Sequence, residues 1–124
     1  MIAIIEDDRG WEDYYRQLLA GYDLRCFHDG LAAVRWMDEV LPDVIILDIL
    51  LTGPTGFAVL NELQSYPELA KVPVIVVSSV QLSPQELVKY GVVAVYDKSE
   101  MMPAELQKSV QAALEGARDG KKAA

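Results

Sequence analysis

Five short apolar runs recur along the whole chain, and they constrain its fold more than any other feature. The runs are nearly continuous and rich in β-branched residues, and they lie at residues 2–5, 24–27, 44–47, 74–77 and 92–96. A strand with one wet face alternates polar and apolar residues, whereas continuous runs are typical of central strands in a parallel sheet that is covered on both sides. The pattern therefore predicts five parallel strands.

Segments with helical spacing separate these runs. Their apolar residues recur at intervals of three and four, and Asp8 and Asp29 stand where helix N-caps are expected. Ser83, Pro84 and Glu86 supply a capping residue, a first-turn proline and a capping-box acid to a later segment. Strands that alternate with helices predict an α/β fold, with right-handed crossovers that place helices on both faces of a doubly wound sheet.

Length and composition fit a single domain. A chain of 124 residues, of which 52% are hydrophobic, can fill one packed core. Its one cysteine, Cys26, cannot form an internal disulfide. Residues 117–124 have too little apolar content to pack, so we expect a folded domain over residues 1–116 and a disordered tail after it.

Charge and hydropathy exclude several kinds of partner. Lys and Arg total 11 against 19 Asp and Glu, and the resulting net charge of −8 argues against direct binding to nucleic acid. The first residues lack the layout of a secretion signal, and no apolar run approaches the ~20 residues of a membrane helix. We therefore expect a cytoplasmic protein that contacts neither membrane nor nucleic acid directly.

Chemically informative side chains follow the apolar runs, at the strand ends where parallel sheets bind ligands. Glu6 and Asp7 follow the first run, Asp48 the third and Ser78 the fourth, and Lys98 lies just beyond the fifth. Asp48 interrupts an otherwise apolar segment, where an unpaired charge would be heavily penalised. Three acids on one rim repel each other unless a cation joins them, and their oxygens suit a hard cation. The sequence therefore predicts a Mg²⁺ site.

Such a site suits phosphoryl transfer. With a metal bound, the Asp48 carboxylate can attack phosphorus, the Lys98 ammonium can neutralise the transferred group, and the Ser78 hydroxyl can hydrogen-bond a phosphoryl oxygen. Each residue also has a simpler explanation, such as a turn cap for Asp48 or a solvated loop lysine for Lys98. Their convergence on one rim favours the functional interpretation. Trp11, near the start of the first helix, is expected to be partly buried.

Four segments in order carry a resemblance to a known family. They are IIEDD at 4–8, PDVIILD at 42–48 with Gly56 eight positions on, PVIVVS at 73–78 and YDK at 96–98. At these spacings the chain resembles a response-regulator receiver domain, the phosphoacceptor module of two-component signalling, over residues 1–116. The resemblance implies a flavodoxin-like sheet with strand order 2-1-3-4-5.

The resemblance also implies a role for each residue at the rim. Asp48 is the expected phosphoacceptor, Ser78 the switch hydroxyl and Lys98 the phosphate-pairing lysine. The implied Mg²⁺ ligands are Glu6, Asp7, Asp48 and the backbone carbonyl of Leu50.

Three positions depart from the family's pattern. Ser99 follows Lys98 where the family usually has a proline in a cis peptide, and the cis form is not expected without proline. Thr52 replaces the usual proline in the loop beyond the phosphoacceptor. Val95 replaces the aromatic residue that reports activation, and Tyr96 stands next to it. We therefore expect the switch hydroxyl to act without its usual aromatic partner.

The function that we predict is that of a signalling module, which receives a phosphoryl group on Asp48 from a histidine kinase or phosphotransfer protein. We do not expect an enzyme, beyond catalysis of the module's own phosphorylation and dephosphorylation. A downstream protein partner is expected at the surface of residues 83–96, which begins at Ser83 and ends at Tyr96.

Leu50 and Val80 bear on the lifetime of the phosphoryl group and on the alternatives. They occupy positions that flank the route of the attacking water in this family, and neither can orient water, so we expect slow autodephosphorylation. Phosphotransferases and phosphatases with an aspartyl intermediate usually carry a second acid where this chain has Leu50, and such an enzyme is one alternative. The other is a receiver-like binding module that no longer accepts phosphate.

Overall fold

The computed structural model describes residues 1–51 and 55–123, with side chains as far as residue 116. Within these residues, five strands alternate with five helices, and 3₁₀ turns at Leu69–Lys71 and Val88–Tyr90 are added. The strands are β1 Ile2–Ile5, β2 Leu24–Phe27, β3 Val44–Leu47, β4 Val74–Ser78 and β5 Val92–Asp97. The helices are α1 Arg9–Leu18, α2 Gly30–Met37, α3 Gly56–Gln64, α4 Pro84–Leu87 and α5 Pro103–Ala123. Thr52 lies outside the described residues.

The strands form one parallel sheet in the order β2-β1-β3-β4-β5. This order confirms the predicted α/β architecture, a single-domain, doubly wound and flavodoxin-like sheet. Every residue of β1 and β3 is buried, as expected for continuous apolar runs in the middle of a covered sheet. β4 and β5 each run one residue beyond the predicted strand, because Ser78 pairs with Asp97 at their ends.

Successive residues of each strand supply two separate cores, one on each face of the sheet. In β3, Ile45 and Leu47 pack on the face that α2 and α3 cover, whereas Val44 and Ile46 pack on the face of α1 and α5. Trp36 in α2 is half-buried, and its ring centroid lies 5.3 Å from that of Phe27 in β2. Apolar packing on both faces holds the sheet and fixes where its strands end.

The helix starts follow the predicted capping pattern, with one exception. The side chains of Asp8 and Asp29 accept hydrogen bonds from backbone N–H groups in the first turns of α1 and α2. Pro84 is the first residue of α4, but the Ser83 side chain makes no capping hydrogen bond, so its predicted cap is wrong in that respect. The 3₁₀ turn after α4 ends at Gly91, whose φ of +78° favours glycine.

The last helix continues into the segment that was predicted to be disordered. The backbone of α5 is helical as far as Ala123, while side chains from residue 117 onwards, and residue 124, lie outside the described residues. The boundary between a domain of residues 1–116 and a tail of 117–124 therefore stays a prediction. Among the described residues, no helix is both long enough and apolar enough to cross a membrane.

Candidate functional site

Strand register places two of the predicted acids side by side. Ile5 at the end of β1 pairs with Leu47 at the end of β3, so Glu6 and Asp48 leave the sheet next to each other. Glu6 is 2% exposed and Asp48 5% exposed, and Asp7 beside them is half-buried. Each of the three offers a carboxylate oxygen, and these oxygens all lie within 4.8 Å of one another. The arrangement has the spacing and the hard oxygen donors that a divalent cation requires.

The Lys98 ammonium completes this cluster. Its Nζ lies 2.5 Å from Oε1 of Glu6 and 3.1 Å from Oδ2 of Asp48, and its side chain is 13% exposed. The backbone N–H of Lys98 donates to the carbonyl of Ser78 at 2.9 Å, which continues the pairing of β4 with β5 by one step. Lys98 at the end of β5 therefore reaches past β4 to the acids at the ends of β3 and β1.

A local turn directs the chain after Lys98. The described residues contain no cis peptide bond. Instead, Oδ1 of Asp97 accepts hydrogen bonds from the backbone N–H of Ser99 at 2.8 Å and from its hydroxyl at 2.6 Å. These bonds hold the pKa of Asp97 below its usual value, so the carboxylate stays ionised. Asp97 and Ser99 thus close the turn with a side-chain acceptor and a trans backbone.

Burial dominates the electrostatics of the site. It raises the pKa of Glu6 to about 7; the lowering effect of Lys98 and the raising effect of Asp48 are smaller. Burial alone would lower the pKa of Lys98, but hydrogen bonds and attraction from the two carboxylates outweigh it and raise that pKa. The Lys98 ammonium therefore does not offset the burial of the Glu6 carboxylate, and the donor set fits an additional cation.

The backbone behind Asp48 is tightly packed against the start of α3. A Cβ atom on Gly56 would lie 2.5 Å from Cα of Ile49 and 2.7 Å from the carbonyl oxygen of Asp48, so only glycine fits there. In front, the N–H of Leu50 donates to Oδ1 of Asp48 at 3.0 Å. The Leu50 side chain is 55% exposed, and the metal contact predicted for its carbonyl stays a prediction.

Ser78 and Val80 lie at the end of β4. Ser78 is fully buried, and its Oγ accepts a long hydrogen bond of 3.4 Å from the N–H of Val80. Val80 is 39% exposed, and like Leu50 it offers only hydrocarbon to water at this rim. The roles predicted for Ser78 as switch and for Leu50 and Val80 in phosphoryl lifetime stay predictions.

Tyr96 and Val95 point to opposite faces of β5. The Tyr96 hydroxyl donates to the carbonyl of Glu105 at 3.2 Å and makes a short hydrogen bond with the Ser109 hydroxyl, both in α5. Val95 packs with the core on the other face. Tyr96 therefore ties β5 to α5, and it does not share the face on which Val95 lies.

Two residues make contacts at the site that were not predicted from the sequence. Trp11 is half-buried, as expected from the sequence. The contact of its ring with Lys98 was not expected: the ring centroid lies 4.9 Å from Nζ of Lys98. Asp97 is the other, through its turn with Ser99. The Asp-x-Ser spacing is a usable signal for that turn, and the N-cap at Asp8 indicates that Trp11 lies in the first turn of a helix at the rim.

Comparison with known proteins places this geometry among relatives. A family model described as "Response regulator receiver domain" matches residues 2–111. The signal receiver domain described as that of a Luxo repressor from Vibrio parahaemolyticus matches with a TM-score of 0.87 and 22% identity, over 98% of this chain and 95% of that one. The signal receiver domain of a signal transduction histidine kinase from Syntrophus aciditrophicus gives a TM-score of 0.79 and 28% identity, over 93% and 89%.

A third structure carries a bound metal. It is the receiver domain of sensor histidine kinase PA1611 from Pseudomonas aeruginosa, with a TM-score of 0.80 and 24% identity, over 92% of this chain and 96% of that one. That structure has a magnesium ion coordinated in its active site cleft. At these levels of identity the structural matches establish the fold.

Proposed function

The chain belongs to the response regulator receiver domain family, and we propose that it is a cytoplasmic phosphoacceptor that takes a phosphoryl group on Asp48. Receiver domains are signalling modules of two-component systems, which interact with histidine kinases and downstream partners. The observation that carries the proposal is the setting of Asp48. Its carboxylate is 5% exposed, contacts the Lys98 ammonium, and offers an oxygen within 4.8 Å of oxygens of Glu6 and Asp7.

Mg²⁺ is the metal that we propose for this site. Glu6, Asp7, Asp48 and the backbone carbonyl of Leu50 would hold it. The clustered carboxylate oxygens and the raised pKa of Glu6 support this assignment, because a buried acid cluster with a single ammonium gains from a further cation. When bound, the metal would neutralise negative charge on the phosphoryl oxygens during transfer.

The proposed donor is the phosphohistidine of a histidine kinase or of a phosphotransfer protein. An Asp48 oxygen forms a new bond to phosphorus as the phosphorus–nitrogen bond breaks. The electron pair of that bond leaves with the imidazole, which then takes up a proton. The Lys98 ammonium neutralises charge on the transferred group, and the Ser78 hydroxyl donates to one of its oxygens, which favours the phosphorylated state.

Output passes through a protein partner in this proposal. The surface of residues 83–96 is the proposed docking region, and on it the side chains of Val88 and Val93 are 65% and 59% exposed. The phosphoryl group biases the domain between two conformations, and the partner binds one of them better.

Phosphorylation with a small-molecule donor tests the proposal. The protein is incubated with acetyl phosphate and Mg²⁺, and the added mass is measured on the intact chain and mapped by peptide digestion. We expect one phosphoryl group on Asp48, none in Asp48→Asn or with a chelator, and normal modification in Asp29→Asn, which changes a helix cap on another element.

Absence of phosphate on Asp48 with Mg²⁺ present would favour the receiver-like binding module. The aspartyl-intermediate enzyme gains no support from the site, because Leu50 places hydrocarbon where a second acid would act. Sustained turnover of a phosphorylated small molecule would reverse that judgement.

A further inference from the structure

Trp11 contacts the Lys98 ammonium but has no part in the function proposed above. The centre of its ring lies 4.9 Å from Nζ of Lys98, inside the range of a cation–π interaction. Trp11 is therefore the third partner of an ammonium whose other partners are the carboxylates of Glu6 and Asp48.

The indole is held by α1 and does not depend on the lysine for its position. The backbone N–H of Trp11 donates to the Asp8 side chain at 3.1 Å, which fixes the first turn of the helix. Its ring centroid lies 5.1 Å from that of Tyr14 and 5.8 Å from that of Tyr15, and Tyr15 is only 1% exposed. The ring is thus part of an aromatic cluster anchored in the core.

The three partners of Lys98 differ in what else they are needed for. Under the proposed function, Glu6 and Asp48 both bind the metal, and Asp48 also becomes esterified, so their charge is redirected as the site is loaded. The face of the Trp11 ring has no competing partner among these groups. It can hold the ammonium equally well before and after loading.

We propose that Trp11 is a positioning residue for Lys98, which keeps the ammonium at the phosphoacceptor when Glu6 and Asp48 turn to metal and phosphoryl group. A lysine side chain is long and loses much rotamer freedom when it is held in one place. The indole reduces this loss by restricting the ammonium to the site in advance. That Trp11 holds the Lys98 ammonium rests on the contact between the two side chains alone. That it does so while metal and phosphoryl group bind rests on the proposed function.

An NMR experiment tests the contact without reference to activity. Protons of the Lys98 side chain that lie over the indole face are shifted upfield by the ring current, and the signal is assigned by its loss in Lys98→Met. We expect the shift in the unsubstituted protein, its loss in Trp11→Leu, and its retention in Trp36→Phe, which alters the other tryptophan on the opposite face of the sheet. An unshifted Lys98 signal in the unsubstituted protein would overturn the proposal.

The same signal tests whether the contact persists in the loaded site. Mg²⁺ and beryllofluoride, a phosphoryl analogue, are added and the Lys98 shift is measured again. Persistence of the upfield shift is expected. If Lys98 moves to the shift of an exposed lysine such as Lys108 on loading, Trp11 holds only the resting state and the proposal is wrong.

Kinetics separates positioning from packing. With acetyl phosphate and saturating Mg²⁺, we expect the maximal rate of Asp48 phosphorylation to fall about two- to fivefold in Trp11→Leu, the range that an exposed to half-buried cation–π contact supplies. Trp11→Phe keeps a smaller ring and should fall less, which guards against a simple folding defect. An unchanged maximal rate in Trp11→Leu refutes the positioning role.

The two hypotheses fail in different ways. If the unsubstituted protein is not phosphorylated on Asp48 at all, the proposed function fails while the NMR shift still decides whether Trp11 holds Lys98. If Asp48 is phosphorylated but Trp11→Leu reacts as fast as the parent, only the role of Trp11 fails.

Discussion

Removal of the Lys98 ammonium gives the sharpest test of how this site is held together. The substitution Lys98→Met keeps a long apolar stem but leaves two buried carboxylates without their counter-charge. Loss of one partner from a buried ion pair typically lowers the free energy of unfolding by about 3–5 kcal/mol. The side chains of Glu6 and Asp48 are 1% and 5% exposed, so solvent screens the loss little.

Proton uptake by Glu6 limits this loss at low pH. The pKa of Glu6 is already raised to about 7, chiefly by burial, and removal of Lys98 takes away an interaction that lowers it. A carboxyl group whose pKa is raised by folding stabilises the folded state at low pH, and this contribution is lost as pH rises through the folded-state pKa. We therefore expect the effect of Lys98→Met to be smaller near pH 5.5 than near pH 8, by about 1 kcal/mol or more.

Urea denaturation measures these differences, first with a chelator present and then with Mg²⁺ and no chelator. Near pH 8 the variant should lose about 3 kcal/mol or more of its unfolding free energy, and Mg²⁺ should return about 2.7 kcal/mol at a hundredfold excess over its Kd. The matched control Lys108→Met removes an exposed lysine and should change the free energy by less than about 0.5 kcal/mol. A loss below about 1 kcal/mol near pH 8, or no recovery with Mg²⁺, would refute the reasoning.

Three further predictions concern residues around Asp48. Gly56→Ala places a Cβ 2.5 Å from Cα of Ile49, so urea denaturation should show a loss of about 2 kcal/mol or more in the free energy of unfolding. The control Gly116→Ala places its Cβ in open space and should not destabilise the protein, and equal effects of the two substitutions would contradict this reasoning. Under the proposed function, Leu50→Asn places an amide beside the route of the attacking water and should shorten the phosphoryl lifetime about tenfold, less than the ~100-fold of a true general base. Leu31→Asn on α2 should leave the lifetime unchanged, and release of phosphate from Leu50→Asn no faster than from the parent would count against this role. Asp97→Ala removes the acceptor for the Ser99 hydrogen bonds and should slow Asp48 phosphorylation by roughly threefold, because Lys98 is then misplaced. Asp97→Asn keeps an acceptor oxygen and should preserve the rate. Identical rates in both variants would rule out this role.

The fold could be predicted because its signal is repeated along the chain. Continuous apolar runs identified all five strands, and the confirmed strand order followed from the family resemblance. The strand ends moved by one residue at Ser78 and Asp97, because backbone pairing continues past the last apolar side chain. Ser83 was predicted to cap α4, yet α4 has only four residues and starts without that side-chain bond. Propensity indicates where a helix can start, and tertiary packing decides how far it runs.

The site was predictable to the extent that strand ends define it. Glu6, Asp48 and Lys98 follow apolar runs, and parallel pairing brings such positions together whatever their side chains do. The contact of Trp11 with Lys98 depends instead on which way two long side chains point, and nothing in the spacing of residues fixes that. The turn of Asp97 with Ser99 had a local signal in the sequence, but its consequence for Lys98 required the three-dimensional path of the chain.

Under the proposed function, lysine and metal compete for the carboxylate of Glu6. Its Oε1 lies 2.5 Å from the Lys98 ammonium, and its Oε2 accepts a long bond of 3.3 Å from the N–H of Asp8. A carboxylate oxygen in so close an ion pair is not free for a metal contact unless Glu6 rotates or Lys98 withdraws. Rotation of Glu6 is the smaller change, since Lys98 retains Asp48 and the ring of Trp11. The proposed site therefore exchanges one lysine contact for a divalent cation. Because of this exchange, we expect Lys98→Met to bind Mg²⁺ more tightly than the parent, even though the variant is less stable without metal.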